Sequence, residues 1–64
     1  MKWLDMEDIA EALEEKFPNE DIISIRFTEL KRKVLDLEEF DGDEKYCNEK
    51  ILEAIQAAWI AERS

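Results

Sequence analysis

Histidine is absent from this 64-residue chain, and cysteine, glycine and proline occur once each, as Cys47, Gly42 and Pro18. Without imidazole there is no ordinary general base for neutral pH, no histidine metal site and no histidine-activated nucleophile. A lone thiol excludes a disulfide scaffold and suits a reducing cytoplasm. Cys47 precedes a helix start predicted at Asn48, which would lend it a little thiolate character; with no imidazole partner it reads as a passive residue. One glycine cannot build a phosphate-cradling loop. The longest apolar run, Ala57-Ala58-Trp59-Ile60-Ala61, falls far short of the ~20 residues of a membrane span. Met1-Lys2-Trp3-Leu4-Asp5 turns acidic too soon for a signal peptide. The expectation is a non-enzymatic, cytoplasmic, monomeric chain forming a single domain over residues 1–64. So short a chain buries only ~60% of its unfolded surface, so its core must be thin.

Acid is what the chain has in excess: 18 Asp and Glu against nine Lys and Arg, a net charge of −9. Residues 1–22 carry −6, residues 23–35 carry +3 through Arg26, Lys31, Arg32 and Lys33, and residues 36–49 carry −6 again. In that last stretch Asp36, Glu38, Glu39, Asp41, Asp43, Glu44 and Glu49 face a single cation, Lys45. With no basic partners nearby in sequence, such a patch suits a hard cation or a basic protein. Phosphate binding needs the opposite sign, so nucleic acid is excluded as a partner, including a winged helix reading DNA through Lys31-Arg32-Lys33.

Helical periods organise the rest. Asp5 is placed to cap a first helix, with Asp8 as a short-armed capping box, Leu4 and Ile9 as a staple, and Pro18 as the stop. Met6, Ile9, Leu13 and Phe17 form its apolar stripe, and Glu7, Glu11 and Glu14 or Glu15 lie on another face. Ile22, Ile23 and Ile25 make the stretch from Asn19 to Ile25 strand-like by propensity, but no second segment could pair with it, so a short helical turn capped by Asn19 or Asp21 is predicted. Thr28 is placed to cap a second helix with Leu30, Val34 and Leu37 inward and Lys31, Arg32 and Lys33 exposed. Asp41-Gly42-Asp43 reads as a turn. Asn48 then caps a last helix carrying Ile51, Leu52, Ile55, Ala58 and Trp59, the strongest period in the chain. The fold class is mainly α, a small helical bundle with helix-turn-helix order.

Asp41-Gly42-Asp43-Glu44 opens like a calcium loop, but Lys45, Tyr46 and Leu52 stand where an EF-hand needs a ligand, glycine and glutamate. What remains is a set of carboxylates suited to modest, unselective binding of oxygen-loving cations. Phe40 reads as a plug pinning the acidic loop and Trp59 as core, while Trp3 stays open between core and surface.

Arg26-Phe27-Thr28, Asp36-Leu37-Glu38-Glu39-Phe40-Asp41 and Asn48-Glu49-Lys50-Ile51-Leu52-Glu53-Ala54-Ile55 with Trp59 together resemble the IscX (YfhJ) family, very small acidic proteins of bacterial iron–sulfur cluster assembly. Lys2-Trp3 and Glu11-Ala12-Leu13 fit as well, so the resemblance spans essentially the whole chain. It implies a modified winged-helix fold, docking of the acidic surface on the cysteine desulfurase IscS near the site frataxin uses, weak iron binding through surface carboxylates, and modulation of sulfur transfer without catalysis. Carried to matching positions, it implies Asp36, Glu38, Glu39, Asp41 and Asp43 as acids facing both partner and iron, with Glu7 and Glu11 as further partner-facing acids. No organic cofactor is implied. The chain departs from the family pattern at Gly42, where a further acid is expected, near Glu44, where a proline is expected, and in the basic Lys31-Arg32-Lys33. The alternative function is a general acidic interaction module, a charge mimic inhibiting a basic partner with no metal role.

Overall fold

Each of the three periodic segments has one apolar stripe, and none can bury that stripe alone. The computed structural model describes residues 1–64 as helices α1 (Met6–Lys16), α2 (Phe27–Leu35) and α3 (Glu49–Arg63), with one 3₁₀ turn, Glu44–Tyr46, and no strand. The bundle is small and all-helical. α1 packs chiefly on α3, and α2 lies against both. Twelve apolar residues are buried and no polar or charged residue is among them. Ile9, Ala10 and Leu13 come from α1, Leu30 and Val34 from α2, Leu52, Ile55 and Trp59 from α3, and Trp3, Ile22, Ile25 and Leu37 from the connecting segments. Trp59 is the largest and is fully enclosed, in line with its place on the apolar stripe of α3.

The helix starts differ from expectation in instructive ways. Asp5 occupies the N-cap position of α1 without capping it. Its Oδ2 accepts the backbone N–H of Lys2 at 2.8 Å instead, while its own N–H donates to the Lys2 carbonyl at 3.0 Å. That closed turn rotates Trp3 into the core and Leu4 out of it, leaving them 3% and 78% exposed. The predicted Leu4–Ile9 staple and Asp8 capping box are therefore not made. α2 starts at Phe27, one residue before Thr28, with Arg26 at its N-cap and no side-chain cap. Leu37 is buried in line with Leu30 and Val34 but lies beyond the helix, and its N–H turns back onto the Val34 carbonyl at 3.1 Å. Asn48 caps α3 as predicted, its Oδ1 accepting the Ile51 N–H at 2.9 Å. Pro18 follows the end of α1 at Lys16, also as predicted.

Between α1 and α2 the chain is neither strand nor helix. Ile22–Ser24 form a turn in which Asp21 Oδ1 accepts the Ser24 N–H at 3.3 Å. α3 holds this stretch from outside. Gln56 Nε2 donates to the Ile22 carbonyl at 2.8 Å, and Arg63 donates to the carbonyls of Phe17 and Glu20, which no helix satisfies. Arg63 Nε and the Trp59 indole N–H both donate to Glu14 Oε1, at 3.0 and 2.9 Å. One carboxylate thus ties α1 to two successive turns of α3.

Ile55→Ala or Trp59→Ala should cost on the order of 2–5 kcal/mol by opening a cavity. That is most of what a small domain has, so urea unfolding followed by circular dichroism should show largely unfolded protein in water. Glu38→Gln/Glu39→Gln should stay folded under the same conditions. The reverse ranking would show that the apolar cluster is not what holds the fold.

Candidate functional site

The acidic stretch after α2 lacks regular structure apart from the 3₁₀ turn, so tertiary contacts place its carboxylates. Asp41-Gly42-Asp43 is extended and makes no turn of its own. Its first residue pairs with the start of the chain, the Asp41 N–H donating to the Met1 carbonyl at 2.9 Å. Trp3 lies beneath it and donates its indole N–H to the Asp43 carbonyl at 2.7 Å. Phe40 packs edge-on against Trp3 with ring centroids 4.7 Å apart, which confirms it as the plug. Gly42 is needed here for closeness and not for its backbone angles, which are ordinary. A methyl group at that position would sit 2.5 Å from Phe40 Cζ and 3.1 Å from Trp3 Cδ1. An acid in its place would lift the segment off the aromatic pair.

Basic partners absent from the local sequence arrive from across the fold. Asp41 lies 3.2 Å from both the Met1 amino group and Lys2 Nζ. Glu44 accepts from Lys31 of α2 at 2.8 Å. Asp43 spends Oδ1 on the Lys45 N–H at 3.1 Å, capping the 3₁₀ turn, and has Lys45 Nζ 3.8 Å from Oδ2. Lys33 pairs with Glu20 at 3.1 Å and stands over the Phe17 ring at 4.3 Å. The expected exposed basic face of α2 is therefore largely spent inside the molecule, and only Arg32 of the three is left fully exposed and unpaired.

The remaining acids divide by place. Glu38 and Glu39, between α2 and Phe40, line a shallow cleft with Glu15 and Lys16 of α1. Glu15 is four residues from Glu11 and eight from Glu7, so the three share one face of α1, and all three are exposed. None of Glu7, Glu11, Glu15, Glu38 and Glu39 has a basic group within ion-pair distance. Asp36 is exposed at the end of α2, and its carbonyl, not its carboxylate, takes Lys16 Nζ at 3.2 Å. The structure thus joins Glu38 and Glu39 to the Glu7–Glu11–Glu15 row and sets Asp41 and Asp43 apart. Glu15 is the residue that sequence reasoning left open; the four-residue step from Glu11 was its signal, and the use of Glu14 by Trp59 and Arg63 decides between the two.

A cation would need several of these oxygens together. No three of the chain's Asp, Glu and Cys side chains form a group able to hold a metal ion. The five carboxylates from Asp36 to Asp43 are spread over two places, so they do not fit a preformed iron centre. Cys47, half-buried beside Lys31 and Glu44, has its thiol pushed up chiefly by burial, with Glu44 adding to the effect and Lys31 opposing it. The expected gain in thiolate character is reversed, because desolvation of the sulfur outweighs the helix N-terminus.

Fold and site together define a very small all-helical protein with many unpaired carboxylates, among them Glu15, Glu38 and Glu39 at one cleft. The profile of the family described as iron-sulphur cluster assembly matches residues 1–64, and the chain belongs to that family, the IscX/YfhJ proteins. It is 48% identical over 63 residues to an uncharacterized protein of Pseudomonas aeruginosa, covering 98% of this chain and 96% of that one. No helix is long and apolar enough to cross a membrane.

Two titrations follow from the site. Hydrogen bonds from the Met1 amino group and Lys2 hold the Asp41 carboxyl below the usual aspartate range. A depressed folded pKa contributes stability that is complete above the unfolded value and lost as pH falls through the folded one. Amide signals of Met1, Lys2 and Asp41 should therefore move together only at pH below the ordinary aspartate range; a normal Asp41 titration would show the pairing absent in solution. Cys47 should alkylate with iodoacetamide slowly at neutral pH, accelerating only above the usual thiol range, and a fast neutral reaction would contradict its burial.

Proposed function

We propose that this protein is a non-catalytic adaptor of iron–sulfur cluster assembly that docks its acidic face on the cysteine desulfurase IscS and regulates it. The observation that carries the reading is the unpaired field itself: Glu7, Glu11 and Glu15 along α1, continued by Glu38 and Glu39 across the cleft. Charges that serve the fold are paired in this molecule, as Glu14, Glu20, Asp41 and Glu44 show. A row of like charges costs the helix a few tenths of a kcal/mol per neighbouring pair. A basic partner surface offsets that cost on docking and gains in encounter rate.

Family membership supports the place in cluster assembly and, with the lone thiol, a cytoplasmic setting. Absence of histidine and a thiol kept protonated by burial support the non-catalytic role. The order α1–α2–α3 supports a modified winged-helix arrangement in which strands have been lost. Asp36, Asp41 and Asp43 remain in the docking surface as flanking charge, with Asp41 and Asp43 weakened by their internal partners. Iron enters this reading only as a weakly held cation drawn to Glu15, Glu38 and Glu39. The scattered carboxylates favour the second reading, a charge mimic without a metal role, in that one respect.

Affinity for purified desulfurase should fall steeply as salt rises from about 0.05 to about 0.5 M, because the screening length drops below ~8 Å within that range. Glu15→Gln/Glu38→Gln/Glu39→Gln should weaken binding at low salt and flatten that dependence. Salt-independent affinity would sink the electrostatic reading. Ferrous iron should broaden the amide signals of Glu38 and Glu39 before that of Asp41, and less so with desulfurase present, since two ligands of one surface weaken each other reciprocally. Broadening elsewhere, or none, would leave the charge-mimic reading.

A further inference from the structure

The acidic segment is attached to the bundle while adding little to its core. Leu37 and Leu52 are buried, and no residue between them is. Phe40, Gly42 and Cys47 are half-buried, and the other residues from Glu38 to Cys47 are exposed. Both ends are anchored: the Leu37 N–H donates to the Val34 carbonyl, and Asn48 caps α3. Between them, polar contacts hold the segment at two places. At the start of the chain, the Met1 amino group donates to the Glu39 carbonyl at 2.8 Å and Lys2 Nζ to the Asp41 carbonyl at 3.2 Å. The Asp41 N–H answers on the Met1 carbonyl, and the Trp3 indole N–H holds the Asp43 carbonyl. On α2, Lys31 holds the Glu44 carboxylate. The Tyr46 and Cys47 N–H groups turn back onto Asp43 and Glu44, within the segment itself.

A segment with few buried apolar contacts and exposed hydrogen bonds opens at lower free energy than the core beside it. The two attachments are also coupled, because Trp3 and Lys31 grip adjacent residues, Asp43 and Glu44. We propose that residues 38–47 form a strap that lifts off Trp3 and α2 as one unit while the helical bundle stays folded. Its latch on α2 is an ion pair open to solvent, Lys31 being 34% and Glu44 64% exposed, and such pairs are weak and screened by salt. Closed, the strap spends Asp41 on the Met1 amino group and Lys2, and Glu44 on Lys31. Open, it frees both carboxylates and uncovers the Trp3 ring. Strap opening therefore sets how much acidic charge the molecule can offer, whatever partner takes it.

The test is hydrogen exchange of the intact chain followed by NMR, where exchange tracks the opening equilibrium. Lys31→Gln and Glu44→Gln each remove the α2 attachment. Each should speed exchange of the Asp41 amide and the Trp3 indole N–H about threefold, although those two groups bond to Met1 and Asp43. Arg32→Gln removes the same charge from an unpaired neighbour of Lys31 and should leave both rates as in the parent. Trp3→Phe cuts the other attachment but keeps an aromatic floor. It should speed the Tyr46 and Cys47 amides about fivefold relative to those of α3. The α3 amides of Ile55 and Trp59 should keep their parent rates in the Lys31, Glu44 and Arg32 variants. Effects of Lys31→Gln and Glu44→Gln confined to Tyr46 and Cys47, or parent-like Tyr46 and Cys47 in Trp3→Phe, would overturn the strap as a unit. Equal acceleration of the α3 amides would make the opening global unfolding, and equal acceleration in Arg32→Gln would make it an effect of net charge; either result overturns the proposal.

Discussion

The hydrogen bond from the Trp3 indole to the Asp43 carbonyl ties the acidic segment to the start of the chain. Residues 36–48 include only one short turn of regular structure and bury only Leu37 fully, so contacts from elsewhere in the fold fix most of their course. Trp3 fixes it from below, with Phe40 against its ring and Gly42 on its face. Once the segment lies there, Asp41 meets Lys2 and the Met1 amino group, Glu44 meets Lys31, and Glu38 and Glu39 are left over the end of α1. The distribution of free charge follows from that one aromatic floor.

Charge is partitioned along the same line. With −9 on 64 residues, self-repulsion works against compaction, and a thin core has little reserve against it. The nine basic residues are placed economically: Lys2, Lys31, Lys33, Lys45 and Arg63 each meet an acid that anchors a turn or a helix end. Exposed pairs of this kind are worth little one by one. Arg63 differs, because it reaches Glu14 and the Phe17 and Glu20 carbonyls at once and so ties the end of α3 to α1 and to the segment that follows it. Unpaired acids stand on α1 and across its cleft, and also at Asp21, Glu29, Asp36, Glu49, Glu53 and Glu62.

The acidic segment borders two concave surfaces. One face of it, at Glu38 and Glu39, extends the charge of α1; the other, at Asp41 and Asp43, borders an apolar groove on Trp3. A bulkier residue than Gly42 would separate the segment from Trp3 and blur both. The family to which the chain belongs works in cluster assembly, where a small protein must meet larger ones through whatever area it has.

The sequence alone determined the helices, their order and their core faces, because apolar period is a local property: Ile9 and Leu13, Leu30 and Val34, and Leu52, Ile55 and Trp59 are buried where their spacing puts them. Asn48 and Pro18 also acted as written, since a cap and a helix stop need only their neighbours. The motifs carrying the family resemblance were legible for the same reason. What the sequence missed was the local turn at the start of the chain and most of the charge pairing. Asp5 closes a turn instead of capping, so Trp3 and not Leu4 enters the core. Lys31 and Lys33, adjacent to other bases in sequence, neutralise Glu44 and Glu20 in space. The seven acids between Asp36 and Glu49 looked like one patch, yet the fold spends some, isolates others and adds Glu15 from α1. Helices are specified by contacts three and four residues apart, whereas charge is specified by what comes within a few ångströms, and for an extended segment only tertiary packing decides that.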